Sequence, residues 1–247
     1  MRLSAPIYRP KRAARLKARD HGIPLHAALD QIAAAEGFVS WSLLSSQSGE
    51  EVTDPSTIGN QLQPGDLVLI AARPRQGKTL LALQMATAAA GPDQKAYFFS
   101  LDCTPAEVRT KLDAINVAPT QFAAQLVIDC SDDICADYVM QTLDTAPRGT
   151  LAVIDYLQLL DQKRSTPALQ QQVTALAQFA RTRGLVIAFI CQVDRAFEMA
   201  EAPMPDLDDI RLPNPLDLTI FDHAWFLNKG TVHGQRIPKS QAAPSHR

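Results

Sequence analysis

From Gly65 onwards the chain alternates short apolar runs with longer stretches in which apolar residues recur at helical spacing. The apolar runs are nearly continuous, as at 185–190, and such a run is typical of a strand that is buried on both faces of a parallel sheet. We therefore predict an α/β fold, with a mostly parallel central sheet flanked by helices. Strands are predicted near 66–72, 95–101, 125–129, 150–155 and 185–191, and helices near 78–90, 104–116, 132–145 and 167–183.

Residues 1–45 follow a different pattern and predict a small helical element. Residues 10–19 are compatible with a helix, a second helix begins after Pro24 and stops near Gly37, and Ser40 is placed to cap a third. An element of about 45 residues buries little core of its own, so we expect it to pack on the main domain or to bind a partner protein. The predicted organisation is this element at 1–45, a polar linker and entry loop at 46–64, the main domain at 65–230 and a polar tail at 231–247.

Charge is unevenly distributed along the chain. Seven of the 24 basic residues fall within the first 20 positions, where Asp20 alone opposes them. Two interpretations stay open: a basic arm that meets an anionic partner, or a solvated helix face.

Composition narrows the class of protein. The sequence has no stretch of about 18 apolar residues, so we expect no membrane span. The basic N-terminus lacks the apolar core of a secretory signal. The four cysteines show no C-x-x-C pairing, which favours buried, reduced thiols in a cytoplasmic protein. The five histidines are scattered, so we expect no metal cluster beyond the Mg²⁺ that accompanies a bound nucleotide.

The stretch 72–79 reads A-R-P-R-Q-G-K-T and lies between a predicted strand and a predicted helix. Backbone N–H groups of such a turn, and the positive end of the helix that follows, bind the phosphates of a di- or triphosphate. We expect Lys78 on the β- and γ-phosphates and the Thr79 hydroxyl on Mg²⁺. The usual motif begins with glycine, where this chain has Ala72. The candidate nucleotide-binding residues are Ala72, Arg73, Pro74, Arg75, Gln76, Gly77, Lys78, Thr79 and Leu80.

Three more polar residues follow apolar strands, and ligands of parallel sheets bind at this end of the strands. Asp155 is the expected carboxylate for Mg²⁺ or its water. Asp102 is a candidate to position or deprotonate the attacking water, and Gln192 to sense the γ-phosphate. Each has a plain alternative, because Asp and Gln are also common in the turns after strands.

Four segments together resemble the RecA-like motor domain of DnaB-type hexameric replicative helicases: A-A-R-P-R-Q-G-K-T at 71–79, F-F-S-L-D at 98–102, V-I-D-Y-L-Q-L-L at 153–160 and C-Q-V-D-R-A-F-E at 191–198. The resemblance covers roughly residues 62–230, and Ala72 supports it because that family has Ala in place of the first glycine. It implies a RecA-like P-loop NTPase that binds ATP and Mg²⁺ between subunits of a homo-oligomeric ring such as a hexamer. It also implies single-stranded DNA in the channel of the ring and a role in DNA replication.

The resemblance assigns roles to individual residues. It implies Lys78 and Thr79 on phosphate and Mg²⁺, Asp155 on Mg²⁺, Gln192 as sensor and Asp102 as the catalytic carboxylate. Two loops of the family face DNA, and here they correspond to 161–165 and 194–213. Their candidate phosphate contacts are Lys163, Arg164, Arg195 and Arg211.

The chain also departs from the family. Asp102 stands where the family has Glu, and a misplacement of about 1 Å costs on the order of 100-fold in rate. The helix near 167–183 lacks most of the family's basic residues. The family's final strand carries a Lys-x-Arg pair that reaches the neighbour's γ-phosphate, for which Arg236 is the sole weak substitute here. The family's N-terminal helical domain is replaced by the short basic element.

Two functions follow from these features. The first is an ATP-hydrolysing DnaB-like helicase or helicase-related motor that acts on single-stranded DNA. The alternative is a regulatory ATPase, closer to clock or recombinase-mediator relatives of RecA, that uses nucleotide to switch partner binding through residues 1–45 with little hydrolysis. A degenerate copy that binds nucleotide and does no work is a third hypothesis.

Overall fold

A computed structural model describes residues 8–41, 51–52, 58–59, 61–92, 94–115, 125–160, 166–199 and 202–238. The strands are β1 Glu51–Val52, β2 Leu67–Ala72, β3 Ala96–Ser100, β4 Leu126–Asp129, β5 Leu151–Asp155, β6 Val186–Gln192, β7 His223–Asn228 and β8 Thr231–Arg236. The α-helices among the described residues are α1 Tyr8–His21, α2 Leu25–Ala35, α3 Lys78–Ala89, α4 Pro105–Ala114, α5 Ala136–Thr142 and α6 Leu169–Arg183.

The strands form one eight-stranded sheet in the order β1-β8-β7-β2-β6-β5-β3-β4. The six strands from β7 to β4 run parallel, while β8 pairs antiparallel with both β7 and β1. The parallel strands therefore bring their carboxyl ends to one edge of the sheet, which is where ligands bind in this architecture.

The core lies on both faces of the sheet. All six residues of β2 are buried, as expected for a central strand covered on both sides. Because side chains alternate along a strand, Leu69 belongs to one buried cluster with Leu176 of α6, and Ile70 to another with Leu83 of α3. Helices α5 and α6 cover the first face, and α3 and α4 cover the second.

The predicted α/β fold is confirmed, and each predicted strand and helix of the parallel part is present within a few residues. The start of α4 shows why the sequence predicts this helix boundary. The Thr104 hydroxyl accepts from Glu107 N at 3.3 Å, and the Glu107 carboxylate accepts from Thr104 N at 2.7 Å, which is a capping box. Helix α5 begins at Ala136, later than the predicted 132.

The predicted tail and linker are corrected in part, because each contributes a strand. The prediction of a polar tail at 231–247 is wrong for β8, and β1 lies within the predicted linker, so the sheet extends beyond 65–230 on both sides. A two-residue turn joins β7 to β8, with φ of 49° at Lys229 and 80° at Gly230. Positive φ at both central positions matches the right-handed twist of a hairpin.

The N-terminal element forms the two predicted helices, and α2 ends at Ala35, two residues before Gly37, near which the sequence predicts its stop. Gly37 has φ of 85°. Its N–H donates to Ala34 O, and Phe38 N donates to Ala33 O, which is a Schellman motif. Helix α1 packs on α2 and contacts the short 3-10 helix Leu207–Asp209, so the element packs on the main domain. The predicted third helix falls largely on 42–45, outside the described residues.

Candidate nucleotide-binding site

The loop between β2 and α3, here called the phosphate loop (residues 73–78), has the backbone that phosphate binding needs. Gly77 precedes α3 with φ of 88°, a left-handed conformation that glycine adopts without strain. A Cβ built on Gly77 meets nothing within 4 Å, so this side of the loop faces open space. Lys78 is the first residue of α3, at the positive end of its dipole. The loop therefore presents N–H groups and a cation to one space.

Asp155 ends β5 beside this loop and is buried. The Thr79 hydroxyl donates to Asp155 Oδ2 at 3.2 Å. Burial raises the pKa of Asp155 to about 6, although the Lys78 charge and the Thr79 hydrogen bond lower it, while the Asp102 charge raises it further. The buried environment thus destabilises the charged form of the Asp155 carboxylate unless a cation lies near it.

The residues present fit Mg²⁺ bound together with a nucleotide. A hydroxyl and a carboxylate are the hard oxygen donors that this ion prefers, and Mg²⁺ is usually held by one or two such groups plus phosphate oxygens and water. The described residues include no group of three or more His, Cys, Asp and Glu side chains that could hold a metal ion without a nucleotide.

Asp102 lies just beyond the end of β3, next to β5 in the sheet. The register pairs Ser100 with Asp155, which puts Asp102 at the same edge. The Ser100 hydroxyl accepts from Asp102 N at 3.3 Å and from Cys103 N at 3.0 Å, and so shapes the turn. The Asp102 residue is exposed, as a group that meets solvent water must be.

Gln192 ends β6 at the level of the phosphate loop, because it pairs with Ala72 in the parallel register. It is half-buried. Its carbonyl accepts from Arg211 N at 2.8 Å, and the Gln158 side chain donates to Arg211 O at 2.7 Å. Gln192, at the edge of the sheet beside the phosphate loop, is thereby bonded to Arg211 in the loop that follows β6.

Two side chains of the phosphate loop point at neighbouring loops. Arg73 bonds to Val193 and Glu198, beyond β6. Gln76 Oε1 accepts from Lys229 N at 2.8 Å, which ties the loop to the β7–β8 turn. The motif predicted both residues as nucleotide-binding, but these side-chain contacts had no sequence signal, because the motif fixes the backbone only. The sequence reasoning also missed the Lys229 turn.

The predicted DNA-facing residues are only partly within the described chain. Arg195 and Arg211 are exposed, whereas Lys163 and Arg164 lie outside the described residues. The acidic residues of the second loop shape its backbone: Asp206 Oδ1 accepts from Asp208 N at 3.0 Å, and Asp209 Oδ2 accepts from Asp206 N at 2.9 Å. The carboxylates of Asp206 and Asp209 therefore accept hydrogen bonds from the backbone of their own loop.

Arg236 lies far from the phosphate loop of its own chain. It ends β8 opposite His223, at the amino end of β7, whereas the phosphate loop is at the carboxyl edge. Within one chain, Lys229 is the basic residue of this hairpin at the phosphate edge.

The remaining predictions concern cysteines and membranes. All four cysteines are free, but only Cys191 is buried, and its burial raises the pKa of the thiol to about 12. Cys103, Cys130 and Cys135 are half-buried, so the expectation of buried thiols is confirmed for Cys191 alone. Over the described ranges, no helix has the length and apolarity to cross a membrane.

Comparison with known proteins relates part of the chain to a known family. The family described as "DnaB-like helicase C terminal domain" matches residues 48–118, which hold the phosphate loop with its strand and helix. This segment of the chain is similar to a DnaB-like helicase C-terminal domain. The match agrees with the RecA-like fold and with the edge at which Thr79 and Asp155 meet.

Curated DnaB helicases are also similar to this chain. The replicative DNA helicase DnaB of Leifsonia xyli subsp. xyli is 29% identical over 190 residues, which cover 64% of this chain and 42% of the relative. The DnaB of Helicobacter pylori (strain ATCC 700392 / 26695) is 24% identical over 251 residues, 87% of this chain and 51% of the relative. The chain thus spans about half the length of these relatives or less.

Two solved structures share the fold of this chain. One, described as an ATPase domain, superposes with a TM-score of 0.54 at 21% identity, covering 76% of this chain and 80% of that one. A DnaB-like replicative helicase, described with its interactions with primase, gives a TM-score of 0.57 at 19% identity, covering 95% and 72%. At these identities the likeness shows a common fold.

Proposed function

We propose that this chain binds ATP with Mg²⁺, hydrolyses it and works as a helicase-type motor on single-stranded DNA. One observation carries the proposal: the Thr79 hydroxyl lies 3.2 Å from the buried Asp155 carboxylate, beside the left-handed Gly77. A hydroxyl, a carboxylate and a helix N-terminus together form the cation and phosphate half-sites of an ATPase. The similarity of residues 48–118 to a DnaB-like helicase domain supports the choice of ATP.

Each residue of the site has a role in this proposal. Thr79 and Asp155 would hold Mg²⁺, which neutralises the charge of the phosphates. The N–H groups of the phosphate loop and Lys78 bind and orient the phosphates, which reduces the entropy cost of reaction. Asp102 orients the attacking water and accepts its proton, and Gln192 senses the γ-phosphate.

The assembly and the nucleic acid are proposed from the relatives. Replicative helicases of the DnaB type support a homo-oligomeric ring, for example a hexamer, with the nucleotide at the contact between subunits. Arg195 and Arg211 are exposed beyond β6 and would contact the phosphates of single-stranded DNA. Residues 1–45 remain a candidate contact for a partner protein, and a cytoplasmic location remains a prediction.

The length of Asp102 favours a second candidate. A carboxylate one methylene shorter than glutamate, on an exposed turn, suits slow hydrolysis. A regulatory ATPase would bind nucleotide at the same site and use it to switch a partner interaction.

The two functions differ in how nucleotide changes DNA affinity. We expect labelled single-stranded DNA to bind more tightly with Mg²⁺ and a non-hydrolysable ATP analogue than without nucleotide, as measured by fluorescence anisotropy. Lys78→Ala should remove the difference, whereas Lys95→Ala, which changes an exposed lysine before β3, should keep it. Equal DNA affinity in all nucleotide states would refute the motor.

A further inference from the structure

The Arg73 side chain is the most highly bonded group of the phosphate loop. Its Nε and Nη2 lie 2.8 and 2.7 Å from Glu198 Oε1, and its Nη1 donates to Val193 O at 2.9 Å. Its side chain is 15% exposed, against 60% for Glu198. Three of the five guanidinium donors are thereby engaged outside the phosphate site.

The partners of Arg73 belong to the start of the loop after β6. Val193 is held on both sides, since its N–H donates to Ala72 O at 3.0 Å while its carbonyl accepts from Arg73. Hydrogen bonds therefore connect the ends of two adjacent strands, β2 and β6, just beside the phosphate loop.

Glu198 sits on a turn that is anchored to the core. The 3-10 helix Arg195–Met199 buries Phe197, which is 6% exposed and belongs to the main core cluster. The Asp194 carboxylate accepts from Ala196 N at 2.9 Å, and Asp194 N donates to Asp209 O at 2.7 Å. The turn is thus a defined structure that carries Arg195 and the 90% exposed Met199 on its surface.

We propose that Arg73 and Glu198 are a positioning pair that transmits the nucleotide state of the phosphate loop to residues 193–199, with neither side chain contacting the nucleotide. This rests on the proposed binding of nucleotide. A loop that closes around phosphates shifts the backbone at Arg73. Because the guanidinium is planar and is held by several hydrogen bonds, a shift of Arg73 also displaces Val193 and Glu198. The exposed arginine of the turn then changes position when nucleotide binds.

Hydrogen–deuterium exchange of residues 193–199 tests the pair directly, with and without Mg²⁺ and a non-hydrolysable ATP analogue. In the wild-type chain, nucleotide should change the exchange of this segment. Glu198→Ala and Arg73→Met should each abolish the change, while Glu198→Ala keeps the nucleotide Kd within about threefold. The double variant should behave like either single one, because the two side chains act as a unit.

A matched control breaks an unrelated ion pair. Asp144→Ala removes the contact between Arg183 Nη1 and Asp144 Oδ1 at 3.1 Å and should leave the exchange response intact. Urea unfolding and circular dichroism of all variants check that each one folds, and Glu198→Ala, at an exposed site, keeps the test valid if Arg73→Met does not fold.

Several results would overturn the pair. One is a nucleotide-dependent change at 193–199 that persists in Glu198→Ala. Another is an Arg73→Met variant that loses nucleotide affinity more than about tenfold when Glu198→Ala does not, since Arg73 would then be a phosphate ligand. If the wild-type protein binds nucleotide but the exchange at 193–199 does not change, the proposed role of the pair is refuted and the proposed function is not. Wild-type protein that binds no nucleotide refutes the proposed function as well.

Discussion

At the scale of residues, Asp155 carries the clearest conflict between stability and function. It is buried at the end of β5, and burial raises its pKa to about 6. The folded chain without ligands thus loses stability by keeping a carboxylate next to Thr79 and Lys78. Such a cost is expected where a group must meet a cation.

Replacing the charge should stabilise the chain without ligands. We predict that Asp155→Asn raises the free energy of unfolding at pH 7 by about 1–3 kcal/mol, because the amide oxygen can still accept from Thr79 while the buried charge is gone. Urea unfolding measures this, with Asp137→Asn on the exposed face of α5 as control. A destabilised Asp155→Asn variant would contradict the account. Mg²⁺-dependent nucleotide binding should be lost in the same variant.

The raised pKa also predicts a pH dependence. The folded carboxyl has a pKa of about 6 against an ordinary 3.8, so the folded state binds more protons than the unfolded state between these values. The stability of the wild type relative to Asp155→Asn should therefore fall as pH rises from about 4 to about 6, and stay low above that. Unfolding curves of both proteins across this range measure the difference. A gap that is constant with pH would show that Asp155 does not titrate in this range.

Asp102 should matter for rate and not for fold. Because it is exposed and bonded through its backbone to Ser100, Asp102→Asn should fold normally. We predict that kcat for ATP falls by about 10²-fold or more, with little change in nucleotide affinity, since a general base contributes that much. Steady-state turnover and an equilibrium titration separate the two effects. Asp113→Asn, an exposed change in α4, is the control, and an unchanged kcat in Asp102→Asn would remove Asp102 from the mechanism.

At the scale of elements, one buried amide joins three segments around the end of β5. Gln172 of α6 accepts from Ala136 N at 3.0 Å, at the start of α5. Its amide donates to Leu160 O and Pro167 O, both at 2.8 Å, on either side of residues 161–165. The amide thus fixes where the candidate DNA loop leaves and rejoins the domain.

Removing this amide should be costly. Gln172→Ala leaves the buried Ala136 N–H and Leu160 carbonyl, and the part-buried Pro167 carbonyl, without their partner. We predict a loss of about 2–4 kcal/mol in the free energy of unfolding. The exposed neighbour Gln171→Ala should cost less than about 0.5 kcal/mol. Chemical denaturation of both variants checks the difference. Equal stabilities would mean that the three contacts contribute nothing net.

The sequence predicts five of the six parallel strands, since they are mainly apolar, and the capping box marks the start of α4. It does not predict β7, the sixth parallel strand. It predicts the hairpin poorly. The β7–β8 turn uses Lys229-Gly230, which lacks the Asn-Gly or Asp-Gly signal, and β8 is mostly polar, with Val232 as its buried apolar residue. The sequence also does not predict side-chain directions. The motif predicts the backbone of the phosphate loop but not that the Arg73 side chain points towards Glu198.

At the scale of the whole molecule, the sheet gathers residues that are far apart in sequence. Lys78, Asp102, Asp155 and Gln192 follow four strands of the parallel part and meet at one edge. Since the chain spans about half the length of its curated relatives or less, the activity that we propose for it is argued mainly from this edge of the sheet.

The most direct test of that activity is the steady-state rate of ATP hydrolysis with and without single-stranded DNA. A motor predicts Mg²⁺-dependent turnover that rises several-fold with DNA and disappears in Lys78→Ala. Turnover that is the same with and without DNA, or that survives in Lys78→Ala, would contradict it.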